Sequence, residues 1–209
     1  MQALKYKSKF LIASSSEIYG NPKVHPQSED YEGSVNTSSI RACYNEGKRI
    51  AETLCFDFNR IYNLDIRIAR IFNAYGPRMA SKDGRVISNF IVQALRGEEI
   101  TIYGDGSQTR SFSFIEDTLE GILKILNHES SDVFNIGNDY EITINDLANK
   151  IIYLTRSNSK IINKDLPIDD PKQRKPDLSK ARKILGYEPK YDLETGLKET
   201  INWFQENYK

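Results

Sequence analysis

The stretch 43–64 limits the fold more than any other part of this chain. Apolar residues at Ile50, Ala51, Leu54, Cys55, Phe58, Ile61 and Tyr62 recur close to the helical period, which predicts one long amphipathic helix. A short apolar run at 10–13 precedes it, and the stretch Asp65-Ile66-Arg67-Ile68-Ala69-Arg70-Ile71-Phe72 follows it. Both read as strands, the first of them buried and parallel. Strands alternating with helices call for an α/β fold built on a parallel sheet.

The rest of the chain extends that pattern and then departs from it. Helices are predicted at 87–96, closed by Gly97, and at 116–127, with acids in the first turn. A third runs from a Thr143 cap to about residue 155, with Asp146 as an imperfect box partner. Two more lie at 179–185, ended by Gly186, and at 193–207. Short strands are predicted at 100–103, 112–115 and 133–136. Helices therefore dominate the later, more mixed region. A polar, aperiodic segment follows Tyr19-Gly20-Asn21-Pro22 as far as Ile40, and a loop of that size in a compact domain is often functional.

Composition excludes several function classes. Lys and Arg number 29 and Asp and Glu 29, so no global field draws the chain to nucleic acid or to a membrane surface. No apolar run has the length of a membrane span, and no signal peptide is expected at the N-terminus. Cys43 and Cys55 lie on one predicted helix, separated by about 18 Å of rise, too far for an intrachain disulfide. That usage predicts a reducing compartment, the cytoplasm. No metal is expected.

Candidate chemistry collects at the predicted strand ends. Tyr44 and Lys48, four residues apart, share a helix face one turn apart. A positive charge beside a phenol favours the phenolate, as a general base at neutral pH requires. The first strand opens into Ser14-Ser15-Ser16-Glu17, and in open α/β sheets ligands sit outside the carboxyl ends of strands. Asp105 and Asp117 read as structural.

Taken together, Ser15-Ser16-Glu17-Ile18-Tyr19-Gly20, Tyr44-x-x-x-Lys48 and Arg70-Ile71-Phe72-Asn73-x-Tyr75-Gly76-Pro77-Arg78 resemble the extended short-chain dehydrogenase/reductase superfamily. Within it the chain is most similar to the UDP-glucuronate decarboxylases. The phrases that carry this are Arg41-Ala-Cys43-Tyr44-x-Glu46-Gly47-Lys48-Arg49, Asp83-Gly84-Arg85-Val86-x-Ser88-Asn89-Phe90, Tyr103-Gly104-x-Gly106-Ser107-Gln108-Thr109-Arg110 and Asp169-Asp170-Pro171-x-x-Arg174-Lys175-Pro176-Asp177. The resemblance implies the C-terminal part of a Rossmann-like doubly wound parallel sheet plus a small mixed α/β substrate-binding region. Residues 1–79 would be the remaining Rossmann half and 80–209 mainly the nucleotide-sugar-binding region, with 107–137 returning to the sheet.

It also implies roles. Tyr44 would take the proton of a sugar 4-hydroxyl, Lys48 would hold the phenolate, and Ser15, where the family more often has Thr, would hydrogen-bond the same hydroxyl. Glu17 and Arg174 would orient the sugar ring and handle protons during decarboxylation. NAD would be the cofactor, held by Tyr44, Lys48, Ser14, Ala74 and Arg78. Asn73, Arg85, Asn89, Tyr103, Gln108 and Arg110 would line the pocket for the UDP-sugar. A homodimer through the Tyr44 helix is expected. A 4,6-dehydratase or a 4-epimerase ranks lower, because Ser16 stands where dehydratases carry Asp and epimerases typically lack Glu17 and the Arg174 motif.

One departure stands out. The sequence holds no glycine-rich strand–turn–helix for a pyrophosphate. The resemblance places that motif in about a hundred residues outside this sequence, the first half of the Rossmann fold. Weak or absent NAD binding by this chain alone, a complementing N-terminal polypeptide, or a non-catalytic UDP-sugar-binding module are the corresponding expectations.

Overall fold

The two predicted strands that flank the long helix form neighbouring parallel strands, with the helix as their crossover. The computed structural model of the chain describes residues 2–166 and 173–208. In chain order it runs α1 (Gln2–Tyr6), β1 (Phe10–Ser15), a 3-10 turn (Ser16–Tyr19), α2 (Ala42–Tyr62), β2 (Ile66–Ile71), β3 (Ala74–Tyr75) and α3 (Val86–Arg96). It continues with β4 (Ile100–Tyr103), β5 (Thr109–Ser111), β6 (Ser113–Phe114), α4 (Ile115–Asn127) and β7 (Asp132–Ile136). After β8 (Glu141–Thr143) come α5 (Ile144–Thr155), β9 (Ile161–Lys164), β10 (Gln173–Arg174), α6 (Ser179–Leu185) and α7 (Leu193–Asn207). Asp169, Asp170 and Pro171 of the sequence motif lie outside the described residues.

The first sheet has the order β1-β2-β7, all parallel, with β2 in the centre. Alternation along β2 divides its side chains between two layers. Ile66 and Ile68 pack with Cys55 and Phe58 of α2, whereas Ala69 packs with Ile125 of α4, Phe134 of β7 and Ala181 of α6. Helices therefore cover both faces, and β2 is buried along most of its length, Arg67 and Arg70 included.

The long helix spans Ala42–Tyr62 rather than 43–64. It stops because Asn63 turns left-handed at φ 54°, which Asn tolerates, and its N–H returns to the Asn59 carbonyl at 2.9 Å. Leu64 then packs beneath the helix instead of extending it. Other ends follow local chemistry: Gly97 is left-handed at the end of α3, and the Thr143 hydroxyl accepts the Asp146 N–H at 3.0 Å at the start of α5.

A second core lies among α3, α5 and α7, where Tyr75, Phe90, Leu147, Leu197 and Phe204 are all buried. Two small sheets edge it, β4 parallel to β9, and β5 between parallel β10 and antiparallel β8. A separate parallel pair, β3 with β6, joins the two regions, and β6 replaces the longer strand expected at 112–115. Strands β5, β8, β9 and β10 and helix α1 carry no periodic signal, and pairing with distant segments makes the strands. Among the described residues no helix is long and apolar enough to cross a membrane, and no group of three or more His, Cys, Asp or Glu side chains is placed to hold a metal ion.

Candidate active site

The site forms where the carboxyl end of β1 meets the start of α2. Tyr44 is in the first turn of α2 and Lys48 one turn on. The Lys48 ammonium lies 5.7 Å from the centre of the Tyr44 ring and donates to the Ala13 carbonyl of β1 at 2.8 Å. Helix periodicity thus becomes a phenol and an ammonium held together at a strand end, with half of the Tyr44 surface exposed.

Ser15 caps the 3-10 turn that follows β1, its hydroxyl accepting the Glu17 N–H at 3.2 Å. Glu17 projects from that turn, and two guanidiniums address its Oε1. Arg41 donates at 3.0 Å from the position before α2, and Arg174 donates from β10. Arg174 also donates to the Gly20 carbonyl at 3.0 Å. Its Nε is buried and has no acceptor among the described residues. An unmet buried donor costs about 1–3 kcal/mol, so an acceptor arriving at Arg174 recovers that cost.

Ser14 points the other way. Its hydroxyl donates to Glu52 of α2, and Glu52 also accepts Arg70 of β2, with Nη2 at 2.8 Å. Arg70 continues to the Tyr19 hydroxyl at 2.9 Å and the Glu29 carbonyl at 2.8 Å, and Tyr19 donates to Asn135 at 2.8 Å. Burial pushes the Tyr19 phenol up to about 12. This network locks α2, β1, β2, β7 and the 20–40 loop together beneath the site. Sequence patterning did not single it out, because a Glu and an Arg eighteen positions apart give no local signal.

The residues expected to meet a nucleotide form a second group. Asn73 donates to the Ser111 carbonyl at 2.8 Å. Arg85 donates to the Ala74 carbonyl at 3.2 Å and to Asp83 at 2.7 Å. Burial works against the Asp83 charge, but hydrogen bonds from Ser88 and Arg85 outweigh it and hold that carboxyl below its usual range. Asn89 is half-buried in the first turn of α3, and Arg78 is exposed at φ 69° after β3. Gln108 donates to the carbonyl of half-exposed Tyr103 at 2.7 Å. Arg110 donates to the Thr109 carbonyl at 2.8 Å and is the register partner of Arg174 across β5 and β10. The β5–β10 pairing therefore joins this group to Glu17. Three-residue spacing puts Arg41 on the Tyr44 face, but its pairing with Glu17, 24 positions away, has no local sequence signal.

These elements define a Rossmann-type α/β protein with Tyr and Lys at the end of a parallel strand. Residues 1–200 match the GDP-mannose 4,6 dehydratase family. The chain belongs to that family. It is 50% identical over 195 residues to UDP-glucuronic acid decarboxylase 6 of Arabidopsis thaliana, covering 93% of this chain and 57% of that protein. It is 47% identical over 203 residues to UDP-glucuronic acid decarboxylase 1 of Xenopus tropicalis, covering 97% and 48%. The chain thus spans about half the length of these curated relatives. Among solved structures, UDP-glucose 4-epimerase from Thermotoga maritima with UDP-glucose superposes with a TM-score of 0.92 at 30% identity, covering 100% of this chain and 67% of that one. UDP-glucuronic acid 4-epimerase from Bacillus cereus, in complex with UDP-glucuronic acid and NAD, gives 0.87 at 29%, covering 96% and 62%.

Proposed function

We propose that this chain carries the sugar-binding and proton-transfer half of a UDP-glucuronate decarboxylase. The observation that carries the reading is the buried Arg174, paired with Glu17 and left with an unmet Nε, at the turn where Ser15 follows β1. An oxygen of a bound sugar supplies the missing acceptor.

NAD is the cofactor of this reading, and when bound it supplies the hydride acceptor and later returns the hydride. The donor set fits its nicotinamide side: Tyr44 and Lys48 would hold the ribose, with Ala74 and Arg78 on the neighbouring turn. Ser14 fits less well, since its hydroxyl is engaged by Glu52. The Tyr44 phenolate, held by Lys48, takes the proton of the sugar 4-hydroxyl and becomes the phenol, and Ser15 orients the hydroxyl. With C4 at the ketone level the sugar is a β-keto acid. The bond from C5 to the carboxylate then breaks, carbon dioxide leaves, and the ketone accepts the electron pair. Glu17 and Arg174 orient the ring and return a proton to C5. Asn73, Arg85, Asn89, Tyr103, Gln108 and Arg110 hold UDP, Arg110 suiting a diphosphate oxygen.

In this reading residues 1–79 are the Rossmann part and 80–209 mainly the sugar-nucleotide part, a division supported by the separate cores and by the return of β7 to the first sheet. No glycine-rich strand–turn–helix occurs in the 209 residues, so they hold NAD weakly by themselves. A complementing polypeptide that pairs with β1 is supported by the free edge of that strand among the described residues and by exposed Phe10. Exposed Ile50, Leu54, Ile61 and Tyr62 on α2 support a homodimer, and the two free cysteines fit the cytoplasm.

Calorimetry with UDP and with NAD tests the binding half, and mass spectrometry of UDP-glucuronate incubated with NAD tests the chemistry. The expected product is UDP-xylose. A 4-epimer of the substrate or a dehydrated product moves the chain to an epimerase or dehydratase. UDP binding without NAD binding favours the non-catalytic module, and absence of UDP binding overturns both.

A further inference from the structure

Glu17 has one more cation than its charge requires. Arg174 is nearly buried, with 4% of its side chain exposed, and is fixed by Glu17 and the Gly20 carbonyl. Arg41 differs: 55% of its side chain is exposed, and its 3.0 Å bond to Glu17 is an exposed ion pair of the weak kind. Two guanidiniums on one carboxylate leave a surplus positive charge at Glu17. Arg41 lies three residues before Tyr44 and seven before Lys48, positions that share one helix face. Its backbone is already helical, at φ −87° and ψ −6°.

We propose that Arg41 is the residue that selects a sugar carboxylate, resting on Glu17 in the free protein and transferring to the hexuronate carboxylate when a ligand binds. The transfer exchanges one carboxylate partner for another, so it costs little. It also leaves Glu17 to Arg174 alone, free to face the ring. A neutral hexose gives Arg41 nothing to move to. The inference rests on the function proposed above, from which its test can be separated.

The test is calorimetric titration of the full chain with UDP, UDP-glucose and UDP-glucuronate, using wild type, Arg41→Gln and Arg41→Lys. Wild type is expected to prefer UDP-glucuronate to UDP-glucose by about tenfold, the size of one charge-assisted hydrogen bond. Arg41→Gln loses that preference while its affinities for UDP and UDP-glucose stay within about twofold of wild type. Arg41→Lys keeps part of the preference, since the charge remains. Equal weakening of all three ligands by Arg41→Gln would make the residue structural and overturn the inference. So would a preference that survives the substitution, or a wild type that binds UDP-glucose and UDP-glucuronate equally. In each of those cases UDP binding persists and the UDP-sugar site stands. Failure of wild type to bind UDP removes the proposed function itself, and this inference with it.

Discussion

The Glu52 carboxylate accepts the Ser14 hydroxyl across the packing of α2 on β1. Glu52 is one turn beyond Lys48, which donates to the Ala13 carbonyl two residues before the end of β1. The same helix face therefore carries Tyr44, Lys48 and the clamp that holds them in place. Arg70 completes the clamp, with 10% and 6% of the Arg70 and Glu52 side chains exposed.

Removing one member of such a buried pair strands the other. Arg70→Met is expected to destabilise the protein by about 3–5 kcal/mol, because Glu52 keeps its charge and loses its partner. Ser14→Ala removes one donor to a charged acceptor and should cost about 1–2 kcal/mol. Urea denaturation followed by circular dichroism measures both, and a smaller loss for Arg70→Met than for Ser14→Ala contradicts the clamp.

Tyr44 is half-exposed, so its hydroxyl can be removed without disturbing a core. Tyr44→Phe should leave stability within about 0.5 kcal/mol and UDP affinity unchanged. In any form of the protein that turns over UDP-glucuronate, the rate should fall by about a hundredfold or more, the usual contribution of a positioned base. Carbon dioxide release at the wild-type rate would remove Tyr44 from the reaction.

Much of this architecture is legible in the residues, and the exceptions share a cause. Period 3.6 at 43–64, the apolar run before it and the isoleucine-rich stretch after it locate α2, β1 and β2. Thr143, Gly97 and Gly186 mark helix ends by local chemistry alone. Gln173-Arg174 and Glu141–Thr143 give no such signal, because strands of two or three residues exist only through partners thirty or more positions away. The site divides in the same way. Tyr44 and Lys48 meet through a repeat within one helix. Arg41 and Arg174 meet on Glu17 only because the 20–40 loop folds back and β10 joins β5, which no window of sequence contains.

Glu29 supplies a pH test. Its Oε1 accepts the Asn135 N–H at 2.8 Å, and burial raises its pKa above the ordinary carboxylate value. A carboxyl raised in the folded state contributes stability that is full below its unfolded pKa and is lost as pH rises through the folded one. Glu29→Gln keeps the acceptor and removes the titration. The variant should therefore be more stable than wild type at neutral pH, with the gap closing as pH falls into the ordinary carboxylate range. Thermal melts across that range measure the difference. A gap that is constant or widens on acidification contradicts the assignment.

Gly20 ties the loop to Arg174. It sits at φ 62° and ψ −133°, a region essentially reserved for glycine, and an added Cβ would run into the backbone of Ser34. Its carbonyl accepts Arg174, and its neighbours bond the loop on both sides, Asn21 N–H to Ser34 at 3.0 Å and Ser34 N–H to Tyr19 at 2.9 Å. Gly20→Ala should cost about 3 kcal/mol from backbone strain alone. The shift of its carbonyl should also weaken UDP-glucuronate more than UDP, because Arg174 loses one of its two anchors while the residues around Tyr103 and Gln108 are untouched. Denaturation and paired titrations separate the two effects. Equal weakening of both ligands would mean that the loop supports the whole pocket, with no particular bearing on the sugar end.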